Sequence, residues 1–125
     1  MNIPFIILLM IFLHIVDDYY LQGWLASAKQ KSWWEKNAPE KMYKYDYIWC
    51  LLMHGFSWSF MIMLPIAYIN NFAVGSNFIY VFIWNAMLHA VVDHSKANRK
   101  SINLWVDQIL HMFQIAVTAG ALLSV

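Results

Sequence analysis

The sequence predicts an all-α integral membrane protein, a bundle of four helices, and three observations predict it. Hydrophobic residues make up 62% of the 125-residue chain and charged residues 12%, with a mean hydropathy of +0.50; a soluble domain this small needs far more polar surface. Four apolar runs, near 3–22, 47–69, 77–95 and 103–123, each approach the roughly 20 residues that cross a hydrocarbon core of about 30 Å. All eight Lys and Arg fall in the first and third connections between these runs. The positive-inside rule then places those connections in the cytoplasm and both termini on the other side of the membrane, as in a multi-pass protein.

The first run carries its proline at Pro4, where a helix has no use for the missing N–H. The polar segment 23–46 follows, with Lys29, Lys31, Glu35, Lys36, Glu40, Lys41 and Lys44 interleaved by Trp24, Trp33, Trp34, Tyr43 and Tyr45, and with Pro39 breaking any continuous helix. That mixture suits a segment lying at the headgroup level. The second run contains Pro65, a kink or a terminus, and ends in the turn-forming pair Asn70-Asn71. An uncharged connection with Gly75 leads to the third run; Lys96, Arg99 and Lys100 lead to the fourth. Residues 1–125 thus read as a single transmembrane domain. Ala26-Ser27-Ala28 has the small residues of a signal-peptidase site, but no Lys or Arg precedes the apolar core and Asp17-Asp18 interrupts the approach, so a retained first helix is expected. The lone Cys50 excludes an intramolecular disulfide and a cysteine-rich metal site. No phosphate-cradling glycine loop is present, and no nucleic-acid partner is expected.

The polar residues inside the runs carry the functional information. His14, Asp18 and Gln22 stand at successive steps of four, as do His89 and Asp93, and Asp107 and His111, while the second run adds His54. Residues four apart lie one above the other on a helix. Counting inward from the cytoplasmic connections, His14 and Asp18 lie nine and five residues from Gly23, His54 eight beyond Asp46, and His89 and Asp93 seven and three before Lys96. At 1.5 Å per residue this is one layer roughly 5 to 14 Å beneath the cytoplasmic interface. The far half of each run lacks Asp, Glu, Lys, Arg and His. Ionisable groups at one depth on four helices, where each is costly alone, point to a shared purpose.

Converging on a bundle axis, these side chains form a nitrogen and oxygen ligand set without thiolate. It suits one or two divalent transition ions, Zn first, with Mn, Fe or Ni as alternatives. His14, Asp18, His54, His89, Asp93, Asp107 and His111 are the expected ligands, with Asp18, Asp93 or Asp107 as bridges. Asp17, Gln22 and Gln108 are expected behind them, orienting ligands. Lys96 and Arg99 lie next to the site and suit a phosphate. The competing reading is a metal-free network of hydrogen-bonded or proton-relaying His-Asp pairs.

His14-x3-Asp18-x3-Gln22, His54, His89-x3-Asp93-x2-Lys96 and Asp107-Gln108-x2-His111 together resemble a family of small bacterial and phage inner-membrane proteins defined by a domain of unknown function. The resemblance spans nearly the whole chain. The family is in turn distantly similar to membrane-bound metal-dependent hydrolases. Asp17 departs from it, standing where the family often has glycine. The resemblance implies a four-helix membrane protein with a metal site and names no substrate.

Three functions are therefore expected in order. The first is a metal-dependent hydrolase acting on a lipid or lipid-linked phosphoester at the cytoplasmic leaflet, with Asp18 and His54 in catalysis and His54 as ligand or general acid. The second is an interaction module, phage-encoded, that engages a host membrane protein or a second copy of itself through segment 23–46 and uses the buried site as a clamp. The third is a cation or proton transporter, against which stands the lack of ionisable residues in the far half of every run.

Overall fold

In the computed structural model, which describes residues 2–123, the chain is helical throughout, with no strand among the described residues. Asn2 caps the first helix, α1 (Ile3–Val16), by accepting from the Phe5 backbone N–H at 3.1 Å, and Pro4 occupies its first turn. At Asp17 the helix widens into a π-turn, Asp17–Leu21, before Gly23 turns the chain with φ 54°. Two short helices follow, α2 (Leu25–Ala28) and α3 (Lys31–Asn37), then a 3₁₀ turn at Lys41–Tyr43. Helix α3 ends just before Pro39, as the steric demand of proline on its predecessor requires.

The three remaining helices are long: α4 (Asp46–Ile69), α5 (Ser76–Ala97) and α6 (Leu104–Leu122). Pro65 neither ends α4 nor opens it; the helix runs four residues further. Asn71 and Phe72, both at positive φ, turn the chain into α5, and Lys100, with φ 53°, helps to turn it into α6. Asn103 caps α6 by accepting from Val106 N–H at 3.0 Å. Short connections make α4, α5 and α6 antiparallel neighbours, and α1 packs between α4 and α6, closing a ring of four.

Helices α4 and α5 approach closely at Gly55. A Cβ there would collide with the Ala86 carbonyl oxygen. Glycine at this position therefore decides how near His54, its neighbour in sequence, comes to α5.

The interior of the ring is divided along its length. Toward the termini, Ile6, Met10, Ile62, Met63, Ile66, Ile115 and Ala119 form an apolar core. Toward the 23–46 segment the interior is ionisable, with His14, Asp17, His54, His89, Asp93, Asp107 and His111 all buried. Trp58, fully buried, lies at the boundary. The outside has the opposite character: Leu8 and Phe12 on α1, Phe56 and Phe60 on α4, Ile83 and Met87 on α5, and Ile109 and Phe113 on α6 are all exposed.

The four long helices fall close to the four expected runs. By length and apolar composition two of them, Ile3–Leu21 and Lys41–Ile69, suffice to cross a membrane. The other two carry the buried polar residues Asn85, His89 and Asp93 (α5) and Asp107, His111 and Gln114 (α6), which lower the apolar content of their windows.

Candidate metal centre

Each long helix brings its polar residues inward for a local reason. On α5 and α6 the step of four stacks His89 over Asp93 and Asp107 over His111. On α1 the π-turn does more. Successive residues of an α-helix point about 100° apart, yet the wider turn brings both Asp17 and Asp18 to the interior, with side chains 1% and 8% exposed.

Asp18 and Asp93 stand at the middle of the cluster. Asp18 Oδ1 lies 3.1 Å from His54 Nε2 and 3.7 Å from His89 Nε2, while its Oδ2 lies 4.0 Å from His111 Nε2. Asp93 Oδ2 lies 3.5 Å from His54 Nε2 and 3.7 Å from His89 Nε2, while its Oδ1 lies 3.4 Å from His111 Nε2. Asp107 Oδ1 is 3.4 Å from the same His111 nitrogen. Three triads have ligand atoms within 4.8 Å of one another: Asp18, His54 and His89; His89, Asp93 and His111; Asp18, Asp107 and His111. Buried His and Asp of this arrangement can hold a metal ion.

Donor chemistry agrees with the spacing. His89 Nε2, His111 Nε2 and Asp107 Oδ1 are buried without a hydrogen-bond partner, a state that is costly unless something else satisfies them. For His111 the proton position follows from its surroundings. The Gln114 amide nitrogen donates to the Asn85 carbonyl oxygen at 3.1 Å and to Asn85 Oδ1 at 3.2 Å. Gln114 Oε1 is thereby turned to His111 Nδ1 at 3.2 Å and can only accept. Nδ1 carries a proton, and Nε2 faces three carboxylates, with Asp93 Oδ1 and Asp107 Oδ1 at 3.4 Å and Asp18 Oδ2 at 4.0 Å. Either a proton on Nε2 or a divalent ion in its place can satisfy this meeting of imidazole and anions.

His14 is placed otherwise than the ligand role expected of it. Trp58 Nε1–H, a pure donor, donates to His14 Nδ1 at 2.7 Å. Nε2 then holds the proton and donates to Gln108 Oε1 at 2.9 Å. Both ring nitrogens are occupied, so His14 has none left for an ion. Its effect passes through Gln108, whose amide nitrogen donates to Asp107 Oδ2 at 2.9 Å and, more weakly, to Asp18 Oδ2 at 3.4 Å.

The remaining expectations divide. Asp17 sits behind His54, its Oδ2 3.7 Å from Nδ1, while Oδ1 accepts from Ser57 Oγ at 2.6 Å. Gln22 does not face the cluster: its amide nitrogen donates back to the Asp18 carbonyl oxygen at 2.7 Å, the local bond its step of four permits. Lys96 pairs with Asp107 Oδ2 at 3.0 Å, and its side chain is 29% exposed. Arg99 is exposed beyond the end of α5.

Sequence reasoning missed Lys29, Trp58 and the amides of the far side. Lys29 reaches Asp93 Oδ2 at 2.6 Å with its side chain 7% exposed. It is delivered by segment 23–46, which Asn98 pins: Asn98 Nδ2 donates to the Lys29 carbonyl oxygen at 2.9 Å and Lys31 N–H donates to Asn98 Oδ1 at 2.6 Å. Trp58 stacks on His89, centroids 4.3 Å apart at 20°, and His111 also stacks on His89 at 4.1 Å and 23°, its own centroid 5.3 Å from that of Trp58. The signal was available for Trp58, four residues beyond His54, and for Asn85, four before His89. For Lys29 there was none, because no periodicity tells which lysine of an interfacial segment turns inward.

Comparison of the chain with protein-family models, with curated proteins and with solved structures returned no match.

Proposed function

We propose that this chain is a membrane-embedded, metal-dependent hydrolase acting on a phosphoester of a lipid or lipid-linked substrate at the cytoplasmic leaflet. The observation that carries the reading is the pairing, inside one buried cluster, of an imidazole and carboxylate ligand set with two ammonium groups, Lys29 on Asp93 and Lys96 on Asp107. Metal in such a set polarises a phosphoryl oxygen and activates water. Lys29 and Lys96 would then bind the anionic group of the substrate. Asp18 belongs to two of the three triads, and His54 is backed by Asp17, which supports catalytic or ligand roles for both.

The membrane placement is supported by the inverted character of the ring, apolar side chains outward on every long helix and ionisable ones inward. Lipid solvates the former and excludes the latter. The lysines flanking the cluster support a cytoplasmic position for it, with both termini opposite. Zn is the metal best suited to imidazole and carboxylate donors, Mn, Fe and Ni being alternatives. Membership of the inner-membrane family that the motifs resemble is part of this proposal.

The test is hydrolysis by detergent-purified protein loaded with Zn or Mn. Phosphomonoester, phosphodiester and diphosphate lipids would serve as substrates, with wild type beside Asp18→Asn. Expected is metal-dependent release of phosphate or headgroup by the wild type and a loss of at least about a hundredfold in the variant, the scale for groups acting directly on the reacting atoms. A metal-loaded wild type inactive on every class, or an equally active variant, would overturn the reading and favour a partner-binding module built on segment 23–46.

A further inference from the structure

We infer that the centre holds two divalent ions rather than one, bridged by Asp18 and Asp93; this rests on the metal reading above. Ligands on one ion at about 2.0–2.2 Å lie roughly 2.8–3.6 Å apart along the edge of an octahedron or tetrahedron, and up to about 4.4 Å apart across an octahedron. His54 and His89 face one oxygen of each of Asp18 and Asp93, whereas His111 faces the other oxygen of each. The nitrogens separate into two sets, and the oxygens of each bridging carboxylate separate with them.

The first set is His54 Nε2, His89 Nε2, Asp18 Oδ1 and Asp93 Oδ2, with nitrogen to oxygen distances of 3.1, 3.5, 3.7 and 3.7 Å. The second is His111 Nε2, Asp107 Oδ1, Asp93 Oδ1 and Asp18 Oδ2, where His111 Nε2 lies 3.4, 3.4 and 4.0 Å from the three oxygens. Asp18 and Asp93 each give one oxygen to either set. A carboxylate spanning two ions in this way fits the separation of about 3.5–4 Å found in two-metal sites.

Surrounding contacts hold the two sets apart. Lys96 and Gln108 both donate to Asp107 Oδ2, at 3.0 and 2.9 Å, leaving Oδ1 to face His111. Gln114 fixes His111 with Nε2 inward. Asp17 stands behind the His54 ring on the side away from the bridges. His89 stacks on Trp58 and on His111, which hold the plane of its ring.

The experiment is a manganese titration of the metal-stripped, detergent-solubilised protein, followed by elemental analysis and electron paramagnetic resonance. Expected are about two equivalents per chain at saturation and the spectrum of an exchange-coupled pair. His54→Gln and His111→Gln should each hold about one equivalent and give the spectrum of an isolated ion, with helicity by circular dichroism unchanged. The wild-type spectrum needs no variant to fold. Saturation at one equivalent with an isolated-ion spectrum overturns the two-ion centre and leaves the metal reading standing. Two equivalents without exchange coupling overturn the bridging by Asp18 and Asp93. No manganese or zinc bound at all overturns both readings.

Discussion

The indole N–H of Trp58 donates to Nδ1 of His14 at 2.7 Å, across the boundary between the apolar and ionisable halves of the bundle. This one bond decides what His14 does. It makes Nε2 the protonated nitrogen and turns an apparent ligand into a support for Gln108 and, through it, for Asp107 and Asp18. His14→Ala should therefore leave the bound metal per chain unchanged, whereas His111→Ala should lower it. Elemental analysis of the two variants beside the wild type checks this; equal loss of metal from both would return His14 to the ligands.

Trp58→Phe keeps most of the packing on His89 and removes the donor to His14. A buried acceptor left unsatisfied costs about 1–3 kcal/mol. Thermal unfolding in detergent should fall accordingly, and His14→Ala in the same background should cost little more, because the bond it would break is already gone. Fully additive losses would show that the two residues act separately.

Lys29 and the proposed ions neutralise the same carboxylate. In metal-free protein Lys29→Met leaves Asp93 buried beside other carboxylates without its ammonium partner, a change worth about 3 kcal/mol. Metal should recover much of that. Melting curves with chelator and with added zinc would then show a larger Lys29→Met penalty in chelator, and an identical penalty in both would separate Lys29 from the metal.

Gly55 sits against the Ala86 carbonyl. Gly55→Ala must push α4 from α5 and should cost about 1–3 kcal/mol through overpacking. Since His54 and His89 move apart with the two helices, metal affinity should weaken as well, read as a rightward shift of the titration curve. A stability equal to wild type would mean that the two helices are free to slide.

Topology can be read by chemical labelling in a Cys50→Ser background. An impermeant maleimide should label Phe72→Cys in intact spheroplasts and reach Lys41→Cys only after lysis, both positions being exposed. The reverse pattern would invert the orientation, and labelling of both before lysis would remove the membrane reading.

Much of this architecture was legible before any coordinates. Helices α4, α5 and α6, and α1 together with its π-turn to Leu21, lie within two residues of the expected runs at either end, because long apolar segments and the turn residues Gly23, Asn70-Asn71 and Lys96-to-Lys100 leave a helical chain few alternatives. The gathering of Asp18, His54, His89, Asp93, Asp107 and His111 was legible too, since the step of four sorts residues onto a face by geometry alone. Hydrogen-bond partnership is not written in spacing. His14 and His111 each stand four residues from an aspartate, in equivalent surroundings as sequence; only packing gives one a pure donor, Trp58, and the other a pure acceptor, Gln114 Oε1. The same holds for Lys29 against its interfacial neighbours, and for Asp17, which an ideal helix turns aside and a π-turn brings in. Periodicity along one helix sets which residues face inward. Which atom of each meets which partner is set between helices, over distances of a few ångströms that a linear pattern does not encode.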